Sequence, residues 1–523
     1  MARALLEPEG PPTLPFLPAE VSNGEFVPRP LAARDRAVIR GALARATAAA
    51  NRVGMDRRRF LQSAGGMAAM LGTINLAACT GGGGDRRAAG PSSSTSAAPE
   101  TTGVPGGTYE VPEPEDAAAC DEVLGDRGEF IFDVHTHHVM PDRPWRQDAP
   151  SIADMIRGLV PAACVEPDPF TCVDRIAYLH DMFLASDTTV ALLSDVPNSG
   201  PEDAPVPFAD AVGTRDLADR LTGNPEASRV LVHNVIAPNF GDLGARLDDM
   251  ATTVATGSVA AFKVYTAWGP GGLGYALDDP AIGLPVVERA QELGVRVMCA
   301  HKGLPLLEFD RRHNGPRDMV ACAALYPDMD FVVYHSAYER ETIEGPYNPA
   351  RAATGVDSLV KAMQDHGMSP NTNVWAELGT TWREVMRDPD QAAHVLGKLV
   401  LHVGEDRVMW GTDAIWYGSP QPQIMAFRAF QISPEYQERY GYPALTDEVK
   451  AKIFGLNAAQ LFGLDPGATR CALSADGLDA ARAEVRRLAA TGELPAPWQP
   501  RGPITRREVL RWLSSPSTRW TPW

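Results

Sequence analysis

An α/β fold of the (β/α)8 barrel type is predicted by three features of this sequence. Short apolar runs alternate with helical patterns from residue 129 onward, eight such runs can be counted, and the residues able to do chemistry fall at or just past their C-terminal ends. Alternation of this kind predicts parallel strands joined by right-handed helical crossovers. A doubly wound open sheet alternates similarly. Closure is favoured by the positions of His135, His137, Lys263, His301, His335 and Asp413, because barrel active sites are built where strands end.

The chain opens with a proline-rich stretch and then a charged, alanine-rich helical pattern over 32–52; residues 1–54 are expected to be a poorly ordered leader. Asp56-Arg57-Arg58-Arg59-Phe60-Leu61-Gln62 matches the twin-arginine export pattern, with Arg57 and Arg58 as the signal pair. The mildly apolar stretch 63–78 that follows is too weakly apolar for a spanning helix. It ends in Leu76-Ala77-Ala78-Cys79, which resembles a bacterial lipobox with Cys79 as the lipidation candidate. A capped basic turn followed by an Ala/Gly-rich helix is the alternative. Residues 55–79 are therefore read as a signal, with the true start at Met1 or Met55 left open. The expected location is extracytoplasmic, membrane-attached only through the signal or a lipid, and cytoplasmic if the signal is not used.

Residues 80–122 have the Gly, Ser, Thr and Pro content of a flexible tether, most marked up to Pro114. The barrel is assigned to 123–465, with strands at 129–135, 189–194, 229–236, 259–265, 295–301, 331–335, 372–377 and 407–412. Helix candidates between them include 284–293, 357–365 and 391–403, and the stretch 140–187 is the largest insertion. The extension 466–523 holds helix candidates at 478–491 and 506–514, the second opened by the capping box Thr505-x-x-Glu508. With Trp498, Trp512, Trp520 and Trp523 it is expected to dock on the barrel as a structural appendage.

The 523 residues suffice for a barrel of about 250 residues or more plus appendages. A formal charge of −18 argues against nucleic-acid binding, which requires phosphates to be neutralised by Lys and Arg, and leaves small-molecule chemistry. A homo-oligomer is left open. The cysteines form no CxxC pair, so a structural zinc site is not expected. Cys164 and Cys172 are close enough to bridge if the chain is exported, whereas Cys299 and Cys322 read equally as small buried thiols.

The strongest motif is Phe132-Asp133-Val134-His135-Thr136-His137-His138. Side chains alternate across a strand, so His135 and His137 share a face on which both imidazoles can bind one ion, and His138 points the other way. Solvent-exposed histidines at a polar strand end are the bland alternative. Three further elements bring ligand chemistry to other strand ends: Cys299-Ala300-His301-Lys302-Gly303, Tyr334-His335-Ser336 and Trp410-Gly411-Thr412-Asp413. A carboxylate at Asp413 can touch a metal and accept a proton from a water that the metal activates.

HxH on strand one, His on strands five and six and Asp on strand eight resemble the amidohydrolase superfamily. Residues 403–413 and Lys452-Ile453-Phe454-Gly455-Leu456-Asn457-Ala458-Ala459-Gln460-Leu461-Phe462-Gly463 are similar to its amidohydrolase-related branch, and the resemblance covers about 128–465. It implies a TIM barrel and either hydrolysis or non-oxidative decarboxylation, as in decarboxylases of aminocarboxymuconate semialdehyde and resorcylate. By motif, His135, His137, His301 and Asp413 would be metal ligands, Asp413 would shuttle a proton, and His335 would polarise substrate or water. Lys263, in Ala261-Phe262-Lys263-Val264-Tyr265, would be a carboxylated bridge between two ions in a binuclear member, or a point charge for a substrate carboxylate in a mononuclear one. One divalent ion is favoured, zinc first and manganese second.

The leading expectation is thus a metal-dependent hydrolase acting on a small organic substrate through a metal-activated water. A decarboxylase on the same site is its alternative, and a catalytically inactive surface-tethered binding lipoprotein is the alternative of another class. Tyr265, Trp268, Tyr338, Glu339, Arg340, Trp382, Trp416 and Tyr417 are expected around the mouth, as pocket lining or as loop packing. Glu377 ends strand seven, facing either the pocket or a neighbouring helix.

Overall fold

The computed structural model describes residues 14–21, 28–80, 105–160, 164, 166–222, 227–305, 309–473 and 477–491. Within them lie eight parallel barrel strands: β1 (Phe132–Thr136), β2 (Val190–Leu193), β3 (Val230–Ile236), β4 (Val259–Val264), β5 (Val297–His301), β6 (Asp330–Tyr334), β7 (Val374–Glu377) and β8 (Val408–Met409). Each pairs with the next in sequence order. Such strands are covered on both faces, which is why β2 and β5 are buried at every position.

The seam between β8 and β1 is looser. Val134 N donates to Trp410 O at 3.1 Å, and Thr136 pairs with Ala414 in parallel. Trp410 N, however, donates to Ile453 O at 2.8 Å, so the turn Lys452–Leu456 takes a group that would otherwise extend the ladder. Asp133 bridges the gap by accepting from the Thr412 backbone N at 3.1 Å and from the Thr412 hydroxyl. The barrel is nearly closed, as expected, and the open sheet is excluded.

The interstrand helices follow their sequence signals. Gly283–Glu292 and Val356–Asp365 match the expected helices closely. The helix expected over 391–403 runs from Pro389 to Lys398, with Asp388 capping Gln391 N, and continues as a wider turn over Leu399–Gly404.

The N-terminal region departs from expectation. Ala33–Arg52 is a helix that buries Val38, Ala42, Ala46 and Ala49, and Ala64–Thr80 is a second helix that buries Met67, Met70, Leu71 and Ile74 in the same core as the barrel helices. A Cβ added at Gly41 would lie 2.8 Å from Thr73 Cγ2, so small residues are what let these helices approach. Residues 14–21 are also packed, with Phe16, Leu17, Ala19 and Val21 buried. The leader 1–54 is therefore not poorly ordered over its described residues. Its alanines look like weak burial in sequence, but they gain a long-range partner in the fold. Arg57, Arg58 and Arg59 are exposed while Phe60 and Leu61 are buried. Among the described residues, no helix is long and apolar enough to cross a membrane.

The tether is shorter than expected. From residue 105 the chain is folded: strand Gly107–Tyr109 pairs antiparallel with Phe430–Ile432, and helix Ala117–Leu124 buries Cys120 and Leu124. Residues 81–104 lie outside the described residues. The insertion after β1 forms a satellite core in which Trp145, Phe170, Tyr178 and Phe183 pack with Ile415 and Trp416 beside the barrel mouth. Cys164 and Cys172, within this insertion, are disulfide-bonded. Cys299 and Cys322 are buried free thiols, and Cys79 is an exposed one. Helix Leu478–Thr491 docks on the insertion, with Arg482 donating to Thr188 O at 2.9 Å and to Phe183 O. The helix expected over 506–514 and the four tail tryptophans lie outside the described residues.

Candidate metal centre

Alternation along β1 sends His135 and His137 into the barrel mouth, where their Nε2 atoms lie 3.6 and 3.4 Å from Asp413 Oδ1. His138 turns outward as expected, bonding Thr214 Oγ1 at 2.9 Å and Val139 O at 3.1 Å. His301 ends β5, His335 follows β6 and Asp413 follows β8, so different strands meet at one point. His135, His335 and Asp413 each place a ligand atom within 4.8 Å of the others. His137 and His301 adjoin this trio, the latter with Nδ1 3.1 Å from His335 Nε2. His335, expected only to polarise substrate or water, thus stands among the ligand candidates.

The surrounding groups fix which ring nitrogens carry protons. A carbonyl oxygen only accepts, so the nitrogen facing it must donate. His137 Nδ1 faces Ser194 O at 2.8 Å, His335 Nδ1 faces Gly379 O at 2.7 Å, and His301 Nε2 faces Leu304 O at 2.8 Å. His135 Nδ1 lies 3.2 Å from Glu377 Oε2. The remaining nitrogens carry lone pairs, and those of His301 and His335 point at each other with no proton between them. This arrangement is unfavourable in a protein alone and is relieved by a shared cation. The donor set therefore fits a divalent ion, with its other nitrogens oriented by carbonyls and a carboxylate as metal-binding imidazoles require.

Electrostatics agree. Burial, reinforced by the charge of Lys263, holds His135 and His137 well below the usual imidazole range, so both are neutral and able to ligate. Burial with the nearby His335 does the same for His301. Lys263 is fully buried with Nζ 3.2 Å from His135 Nε2, and desolvation pushes its amine down to about 8 against the pull of Asp413. Burial pushes Glu377 up to about 8 although the backbone N–H groups of His335 and Gly379 donate to its carboxylate. Positive φ at His335, Ser336, Thr380 and Asp413 adds backbone strain of about 1–3 kcal/mol at each such residue, of the kind that accumulates at functional sites.

The expected mouth residues divide. Trp416 stacks on His137 with ring centroids 5.8 Å apart, Tyr265 lies 5.6 Å from His301, and the Tyr417 hydroxyl bonds Thr380 Oγ1 at 2.9 Å. Trp268 packs on Phe309, and Arg340 pairs with Glu20. Trp382 and Tyr338 belong instead to the hydrophobic core, the indole of Trp382 donating to Gln423 O at 2.9 Å. Glu377 faces the site, the side that its strand-end position allowed but did not fix. Phe309, 5.2 Å from His301, and Thr380 carry no motif and escaped the sequence reading, as did the orienting carbonyls of Ser194, Leu304 and Gly379, which any residue type supplies.

Residues 227–464 match the family model described as amidohydrolase. No curated protein matches the chain. Among solved structures, an uncharacterised TIM-barrel protein from Bordetella bronchiseptica is similar at 13% identity and TM-score 0.41, covering 64% of this chain and 98% of its own. A 2,6-dihydroxybenzoate decarboxylase complexed with 2,6-dihydroxybenzoate gives 13% identity and TM-score 0.38, over 64% of this chain and 100% of that one. An amidohydrolase from Mycobacterium avium subsp. paratuberculosis K-10 gives 15% and 0.35, over 64% and 100%. Likeness at these scores carries no residue role to this chain. The family-model match over 227–464, set beside a His-His-Asp cluster that suggests a divalent metal at the mouth of a (β/α)8 barrel, supports the amidohydrolase superfamily for this protein.

Proposed function

We propose that the protein is a metal-dependent hydrolase acting on a small organic substrate. The observation that carries this reading is the convergence of four imidazole lone pairs and Asp413 Oδ1, with His301 and His335 meeting lone pair to lone pair. His135, His137, His301, His335 and Asp413 would hold the ion, with zinc the first candidate for these nitrogen and oxygen donors. When bound, the ion supplies Lewis acidity at a water or a substrate oxygen. Asp413 takes the proton of the attacking group and returns it to the leaving group. Trp416, Tyr265 and Phe309 bound the substrate space with apolar rings beside the histidines.

A second reading, decarboxylation, is favoured by Lys263. Its buried amine beside His135 is a fixed charge suited to holding a substrate carboxylate. Elemental analysis of the purified full chain tests the common part of both readings, with about one equivalent of divalent ion expected and about two making Lys263 a carboxylated bridge between ions. A screen of esters, amides and aromatic carboxylates then separates hydrolysis from decarboxylation. A well-folded chain that takes up no divalent ion after loading would overturn the proposal.

For location, export through Arg57 and Arg58 is a separate proposal, supported by the exposure of both arginines and by the Cys164–Cys172 disulfide, a bond that persists in oxidising compartments. Fractionation of the tagged full chain, with Arg57→Lys/Arg58→Lys as comparison, is expected to show a cytoplasmic shift in the variant. Unchanged distribution would remove the assignment. N-terminal sequencing of the exported form decides whether the buried helix Ala64–Thr80 stays attached or the chain begins at Cys79.

A further inference from the structure

We infer that Thr380, held by Tyr417, is the positioning residue that decides which carboxylate oxygen of Asp413 faces the histidines. This inference rests on the proposed metal site. Thr380 Oγ1 lies 2.7 Å from Asp413 Oδ2 and 2.9 Å from the Tyr417 hydroxyl, and Thr380 itself is fully buried. A threonine hydroxyl has one proton, and a carboxylate that binds a metal only accepts. Thr380 therefore donates to Asp413, which leaves Tyr417 as the donor to Thr380. The direction of the chain is fixed: Tyr417 to Thr380 to Asp413 Oδ2. Asp413 Oδ1 is then the oxygen turned toward His135 and His137, at 3.6 and 3.4 Å.

The backbone gives an independent reason to read this as built. Thr380 sits at φ +55° and Asp413 at φ +59°, a left-handed conformation that a β-branched residue such as threonine rarely adopts. Strain of this kind persists only where the surroundings over-determine it. Here Thr381 Oγ1 donates to His335 O at 2.8 Å and Asp413 N donates to His135 O at 2.9 Å, which ties Asp413 and the residue next to Thr380 to the histidine-bearing loops. Tyr417 is seated in turn by the N-terminal segment, since its ring packs in one cluster with Leu17, Ala19 and Val21. Arg383, which donates to Leu17 O at 3.2 Å, lies over the same ring at 5.9 Å. A stretch that composition assigns to a leader thereby reaches a ligand of the candidate site through two hydroxyls.

The test uses the purified full chain and its variants Thr380→Val, Thr380→Ser and Tyr417→Phe, with metal affinity measured by competition against a chromophoric chelator and the site viewed through the visible spectrum of bound cobalt(II). Valine keeps the β-branch and removes the hydroxyl, and is expected to weaken binding about 10- to 100-fold, as loss of an outer-sphere partner does. It should also shift the cobalt bands. Serine, which retains the hydroxyl, is expected to restore affinity to within about 3-fold on the same principle. Tyr417→Phe leaves the backbone at 380 untouched and is expected to weaken binding by a smaller factor with the same band shift, which keeps the inference testable if Thr380→Val does not fold. Wild-type affinity and spectrum in Thr380→Val, or equal loss in Thr380→Ser and Thr380→Val, overturns the positioning role while leaving the metal site in place. Absence of metal from the wild-type chain overturns the site itself, and this inference with it.

Discussion

Asp413→Ala is expected to empty the site and reduce turnover of whatever substrate the screen finds by about 10²–10⁴-fold, the usual contribution of a positioned acid–base group, before the lost ligand is counted. The electrostatic reason is local. Asp413 Oδ1 is the negative group facing His135 and His137, and the buried Lys263 amine stands 3.2 Å from His135 Nε2. Removing the carboxylate would leave a divalent ion beside a lysine charge at a buried site, where their repulsion is weakly screened. Asp413→Asn keeps the shape and the Thr380 contact but not the charge, and should fold as the wild type while still losing the ion. Elemental analysis of both variants, with circular dichroism as the folding control, checks this. Full metal occupancy in folded Asp413→Ala would show that the carboxylate is not a ligand.

The second large effect is a loss of stability in acid, read on chain stripped with a chelator. Burial lowers the imidazoles of His135, His137, His233 and His301 well below their usual range, and takes His138 and His335 to about 3. A histidine whose folded value is lowered contributes stability above its unfolded value of about 6.5 and loses it as pH falls, because the unfolded chain takes the proton first. Buried carboxyls work in the opposite direction. Burial raises Asp133 to about 7, Asp195 and Glu377 to about 8, and Glu384 by an amount that points the same way. These groups bind protons in the folded chain first, which stabilises it as pH falls toward about 4. Six buried imidazoles stand against these four buried carboxyls, so the unfolded chain gains more protons between about pH 4.5 and 6, and the free energy of unfolding should fall as pH falls through that window. Urea midpoints at pH 6.0, 5.5 and 5.0, below the range where the raised carboxyls take their protons in the folded chain, check the sign. Stability that rises on acidification across that window would mean that the histidines are not buried as neutral rings. Adding the metal should steepen the fall, since ligands must be deprotonated to bind.

Sequence by itself determined the barrel, because the period of burial and the length of a crossover are local properties. The strands expected at 331–335 and 372–377 appear as Asp330–Tyr334 and Val374–Glu377, displaced only at their ends. It also determined that His135 and His137 share a face and that His138 does not, since alternation along β1 needs no knowledge of the partner strands. The meeting of His301, His335 and Asp413 followed from their strand-end positions, but only as a neighbourhood.

What tertiary structure alone decided is whatever depends on a contact between distant segments. Glu377 faces the site because β7 lies between the strands that carry His335 and Asp413, and one residue cannot reveal which way a strand end turns. Tautomers were illegible because the carbonyls of Ser194, Leu304 and Gly379 set them, and backbone oxygens carry no residue signature. The N-terminus was the least legible part. There, the leader expected over 1–54 reads as poorly ordered, yet helix Ala33–Arg52 packs with helix Ala64–Thr80 in the barrel's core because small side chains let the two approach within contact at Gly41 and Thr73. Composition measures how much surface a segment offers to burial, and only the fold shows whether a complementary surface is waiting for it.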